Sequence, residues 1–76
     1  MVFEKIQEII VNNLSVEADA VKMETNLIED LGADSLDAVE IVMAVEDQFD
    51  IEVSDEDIEK MATVGDIVEY VQAKLG

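Results

Sequence analysis

Seventy-six residues allow one small domain, residues 1–76, at the lower end of what folds unaided, and only Phe3, Phe49 and Tyr70 bring aromatic bulk to its core. The absence of proline and a total of three glycines favour helices over a turn-rich sheet; the absence of cysteine and histidine excludes a disulfide scaffold, a thiolate metal site and a Ser–His or Cys–His relay. Twenty acids stand against four lysines, a formal net charge of −16, which argues against nucleic acid, since phosphate binding needs clustered basic residues.

The periodicity predicts a first helix over Val2 to Leu14, with Phe3, Ile6, Ile10 and Leu14 on one stripe, reinforced by Ile9, and Lys5, Glu8 and Asn12 opposite. Ser15 to Asp34 is then a long connection, and a loop of that length inside a small domain needs a reason. Its spaced apolar residues Val16, Val21, Leu27, Ile28 and Leu31 are expected to lie against the core, and Asn26 with Glu29 fits the cap of a short helical turn. Gly32 follows the apolar Leu31 and can take the positive φ that other residues resist. Asp34 is a good N-cap, with Asp37 at the acidic position of a capping box, and helical periodicity runs from Leu36 to Phe49.

A short helix follows, capped by Ser54 with Asp57 at the box position and Ile58 and Met61 facing inward. Thr63 and Asp66 start the last helix, whose stripe is Val64, Ile67, Val68, Val71 and Leu75. The fold class is all-α: a small bundle of three main helices plus one short helix, with a long loop between the first and second. The longest apolar run, Ile41 to Val45, is far too short for a membrane span, and Glu4, Lys5 and Glu8 do not suit a secretory signal, so a cytosolic or organelle-matrix protein fits, with the cytoplasm the expectation. A monomer is expected.

Ser35 falls in the first turn of the helix after the loop, where its hydroxyl should be exposed. A helix N-terminus offers free N–H groups and partial positive charge, which suits a phosphate ester. The plainer reading is an ordinary serine at a helix start. The residues argue against a self-contained catalytic serine, because a nucleophile elbow needs glycine where Ala33 and Asp37 stand and no lysine lies near in sequence. At ~100° per residue, Ala38, Ile41, Val42, Val45 and Phe49 cluster in a sector about 100° wide, a core stripe. Leu36, Val39 and Met43 form a second stripe on roughly the opposite side, flanked by Glu40, Glu46 and Asp47. Either this second stripe is a docking surface, or the long loop folds over it, beginning with Leu36. Fourteen of the twenty acids and no lysine lie between Met23 and Glu59, either as a solvated face or as a field that attracts basic partner surfaces.

The stretch Glu29-Asp30-Leu31-Gly32-Ala33-Asp34-Ser35-Leu36-Asp37 resembles the phosphopantetheine attachment site of acyl carrier proteins. The resemblance continues through Val39 to Met43, Glu46 to Phe49, Ile51 to Val53 and Ala62 to Asp66, and so covers essentially the whole chain. It implies a covalent 4'-phosphopantetheine cofactor, transferred from coenzyme A to Ser35 by a phosphopantetheinyl transferase, with Asp34 and Leu36 beside it. It implies acyl groups carried as thioesters on the arm's thiol, and a domain that catalyses nothing itself. Partners would be the acyl-transfer, condensing, reducing and dehydrating enzymes of fatty acid synthesis. They would dock through basic surfaces on Asp34, Leu36, Asp37, Val39, Glu40, Met43, Glu46 and Asp47. An acyl chain would shelter among Leu27, Ile28, Val39, Val45, Val53, Ile58, Met61, Ile67 and Tyr70, unless the core is simply closed.

The chain looks most like the stand-alone carrier of dissociated (type II) fatty acid synthesis; polyketide and aminoacyl carriers share the serine and the bundle. A different class, an acidic noncovalent interaction or divalent-binding module, finds weak support. Asp50, Glu52 and Ser54 match the start of a calcium loop, but its glycine and closing glutamate positions hold Asp55 and Met61.

Overall fold

A computed structural model, which describes residues 2–75, contains four α-helices: α1 (Val2–Leu14), α2 (Ser35–Phe49), α3 (Asp55–Lys60) and α4 (Val64–Leu75), with a 3₁₀ turn at Ala18–Ala20. Among the described residues there is no strand, only one isolated bridge between Asn26 and Thr63. The bundle expected from periodicity forms. Ile6 and Ile10 of α1 meet Ile41, Val42 and Val45 of α2 and Val64, Ile67, Val68 and Val71 of α4 in one aliphatic core. Each such side chain taken out of water contributes roughly 1.5–3 kcal/mol. The stripe of α4 stops at Val71: its final turn runs past the last buried residue, so Leu75, expected inside, is 53% exposed.

The caps follow the local sequence. Asp37 N–H donates to Asp34 Oδ1 at 2.9 Å and Asp34 N–H returns to Asp37 Oδ2 at 3.2 Å, a reciprocal capping box on α2. Thr63 and Asp66 do the same for α4: Asp66 N–H donates to Thr63 Oγ1, while Asp66 Oδ2 accepts from the N–H groups of Ala62 and Thr63. These bonds favour the ionised Asp66 carboxylate and hold its pKa below the ordinary value against the opposing effect of burial. Ser54 Oγ accepts from Asp57 N–H as expected. The Asp57 carboxylate, however, does not return to the Ser54 backbone N–H to close a box; it accepts from the Tyr70 hydroxyl of α4 at 3.0 Å.

The long connection is ordered because it is stitched to the rest. Val21 and Leu27 are buried, and Val16 and Leu31 pack against the core. Gln7 on α1 donates from Nε2 to the carbonyls of Ala18 and Val21. The buried Thr25 hydroxyl accepts from Lys22 N–H and donates to Ala20 O. Across the bundle, Leu27 N–H donates to Ala62 O, Val64 N–H to Thr25 O and Gly65 N–H to Met23 O at 2.8 Å. A Cβ on Gly65 would stand 2.9 Å from that same Met23 oxygen, so the close approach requires glycine.

Asn26 caps the turn before Ser35: its Oδ1 accepts from Ile28 and Glu29 N–H. The returning carboxylate is Asp30, not Glu29, because Asp30 Oδ2 reaches Asn26 N–H at 2.8 Å. Gly32, at φ +72°, reverses the chain into Ala33, which is buried.

Candidate functional site

Ser35 is the first residue of α2, directly after the Asp34 cap, and is exposed. The capping box uses the N–H of Asp37, which leaves the first N–H groups of the helix, those of Ser35 and Leu36, for an incoming anion. The local reason is the order Gly32-Ala33-Asp34: a left-handed reversal, one small residue anchored in the core, and a cap. Ser35 is thereby held where the backbone turns outward.

Beside Ser35 opens a cleft of 510 Å³ between α2, α3 and the turn after Asn26, lined by Ile28, Ser35, Ala38, Val39, Asp55, Ile58, Glu59, Met61 and Ala62. That volume is in the range of small-molecule sites. A second, more open depression of 410 Å³ lies between Phe3 and Gln7 of α1 and the segment Ala18 to Met23, and includes no residue of the Ser35 turn.

Four of the nine residues expected around an acyl chain, Ile28, Val39, Ile58 and Met61, line the cleft. Leu27, Val45 and Ile67 are instead fully buried core residues, and Val53 and Tyr70 are half-buried against that core without lining the cleft. Ile28, expected to lie against the core, is 54% exposed at the cleft edge. Asp55 and Glu59 were not among the expected lining residues. Their signal was legible: with Ile58 they share one face of α3 at helical spacing.

The second stripe of α2 is uncovered. Leu36 is 67% exposed, Met43 57% and Val39 37%, so the loop does not fold over them, and Leu36 is the barest rather than the first covered. Glu40 and Asp47 are exposed beside them. Glu46 differs: its Oε2 accepts from Val53 N–H at 2.8 Å, bracing the segment between α2 and α3. Asp34 and Asp37 combine the capping bonds with positions at the edge of the apolar stripe.

Between α3 and α4, the Tyr70 hydroxyl donates to Asp57 and lies 3.4 Å from Glu52 O, with Lys74 Nζ 5.4 Å from the ring centroid. The tyrosine's hydrogen bond, seconded by Ser54, holds Asp57 below the usual carboxylate range. Desolvation, together with the Asp57 hydrogen bond and charge, raises Tyr70. Among the described residues no group of three or more acids is placed to hold a metal ion. Nor, among the described residues, is any helix long and apolar enough to cross a membrane.

An exposed serine at a helix N-terminus, a largely apolar cleft at its side and an acid-edged apolar helix face are the features of a small helical domain of the carrier class. Residues 4–71 match the family described as "Phosphopantetheine attachment site". The chain is 55% identical over 73 residues to the acyl carrier protein of Clostridium acetobutylicum, covering 96% of this chain and 95% of that one. It is 54% identical over 71 residues to that of Wolinella succinogenes, with 93% of each chain covered. The solved acyl carrier protein of Enterococcus faecalis superposes with a TM-score of 0.80 at 44% identity, over 95% of this chain and 91% of that one. The chain belongs to the acyl carrier protein family, whose cofactor is 4'-phosphopantetheine. Its role is that of an acyl carrier in fatty acid synthesis, and the noncovalent module finds no support.

Proposed function

We propose that Ser35 is the attachment residue and that the α2 face beginning at Leu36 is the docking surface. The observation that carries this is the exposed Ser35 at the first position of a capped 15-residue helix, opening directly onto the cleft. The Ser35 oxygen would displace adenosine 3',5'-bisphosphate from the pyrophosphate of coenzyme A. Its proton passes to a base on the transferase, since this chain has no histidine to take it. The N–H groups of Ser35 and Leu36 and the helix dipole favour the resulting phosphodiester, and the exposed acids nearby oppose it weakly through solvent. The arm, once bound, supplies a thiol on which acyl groups ride as thioesters. The protein presents this cargo in the cytoplasm as a monomer and leaves the catalysis to its partners.

Partners are the phosphopantetheinyl transferase and the acyl-transfer, condensing, reducing and dehydrating enzymes, each offering a basic rim and an apolar centre. Leu36, Val39 and Met43 supply the apolar contact; Asp34, Asp37, Glu40 and Asp47 supply the charge, and Glu46 is largely committed to Val53. Ile28, Val39, Ile58 and Met61 would receive the acyl chain.

Incubation with coenzyme A and a phosphopantetheinyl transferase tests the attachment. Intact mass should rise by one phosphopantetheine on the native chain and not on Ser35→Ala. No increment on the folded native chain, or one retained by the variant, refutes the assignment. For the docking face, Glu40→Lys should lower the transferase kcat/KM by about threefold or more at low ionic strength, with the loss shrinking as salt is added.

A further inference from the structure

The lining of the cleft beside Ser35 is mostly apolar, but not wholly. Ile28, Ala38, Val39, Ile58, Met61 and Ala62 are uncharged, whereas α3 contributes two acidic residues, Asp55 and Glu59, each also exposed to solvent. No lysine lines it. The nearest basic residue in sequence, Lys60, is exposed and is not part of the lining. A methyl-ended chain entering this space buries apolar surface and meets no unpaired charge. A chain that ends in a carboxylate would lose water and approach two like charges, both of which disfavour its ionised end.

We propose that Asp55 and Glu59 make the cleft selective for the far end of the cargo: chains with an uncharged end enter, and chains ending in a carboxylate stay in solvent on the arm. This rests on the reading of Ser35 as the attachment residue. It goes beyond that reading by assigning a specificity role to two residues of α3. The functional consequence is that a cargo still carrying a carboxylate is presented to partner enzymes unsheltered, while a fully apolar one must be drawn out.

The full chain is loaded by a phosphopantetheinyl transferase with hexanoyl-coenzyme A or with adipoyl-coenzyme A, arms of equal length that end in a methyl or a carboxylate. Intact mass reads loading first; an unloaded chain would overturn the carrier reading itself. On loaded protein at neutral pH, hydrogen exchange is followed at Ile58 and Met61, whose N–H groups are bonded to Ser54 O and Ile58 O within the cleft wall. The hexanoyl chain should slow exchange there about tenfold relative to the bare arm, and the adipoyl chain should leave it unchanged. In the double variant Asp55→Asn, Glu59→Gln the adipoyl chain should gain protection while the hexanoyl effect persists. Equal protection by both chains in the native sequence, or by neither, overturns the proposal. So does a double variant in which the adipoyl chain stays unprotected, because desolvation alone would then account for the exclusion.

Discussion

The connection between α1 and α2 and the short helix α3 are held in opposite ways. The connection has almost no regular structure, yet buries Val21, Thr25, Leu27 and Ala33 and exchanges backbone hydrogen bonds with the start of α4. The segment α3 is a regular helix, yet buries no residue completely and is tied down by the Ser54 cap, the half-buried Ile58 and the Tyr70–Asp57 bond. Regularity of backbone and strength of attachment are separate properties, and local opening follows the second. The firmly stitched connection fixes Ser35; the lightly held α3 forms one wall of the cleft.

The largest expected effect lies in the shared core. Ile10→Ala should cost roughly 2–5 kcal/mol in denaturant unfolding, because a fully buried side chain would leave a cavity between helices. Gly65→Ala attacks the stitching itself: a methyl 2.9 Å from the Met23 oxygen forces the backbones apart, at a cost of about 1–3 kcal/mol. Amide exchange should quicken from Met23 to Leu27 more than in α3; the reverse pattern would refute the contrast drawn above.

Tyr70→Phe should move the global midpoint least and act on α3, whose amides should exchange faster while those of the connection keep their rates. It should also change the pH profile. Asp57 and Asp66 have folded pKa values below the ordinary 3.8, so their contribution is present above that value and is lost as pH falls through the lower folded one. Tyr70 is raised above its ordinary 10.0, so its contribution is present below that value and is lost as pH rises through the higher folded one. The variant should abolish the alkaline loss and weaken the acid loss, keeping the share that Asp66 supplies. An unchanged alkaline limb in stability against pH would contradict this.

What lay within a few residues was legible. The bounds of α1, the Asp34–Asp37 box, the Ser54 cap on α3, the Thr63–Asp66 box on α4 and the position of Ser35 all follow from capping chemistry and a 3.6-residue period. So do the two faces of α2, since helical geometry alone sends Ile41, Val42 and Val45 one way and Leu36, Val39 and Met43 the other. The lining of the cleft was only half legible. Ile28 and Leu27 are adjacent and equally apolar, but one rims the cleft and the other is core, and periodicity does not assign sides in an irregular turn.

The sequence by itself determined the helices, their caps, the acidic face and the exposed serine, because these depend on contacts one helical turn apart. Only the tertiary structure decided that Glu46 braces Val53, that Asp57 answers to Tyr70 and that the Gly65 N–H meets the Met23 carbonyl. Most of these pairings join groups from different elements. Which partner a carboxylate takes is set by how closely packing brings the elements together, and packing is a property of the whole core rather than of any one stretch of chain.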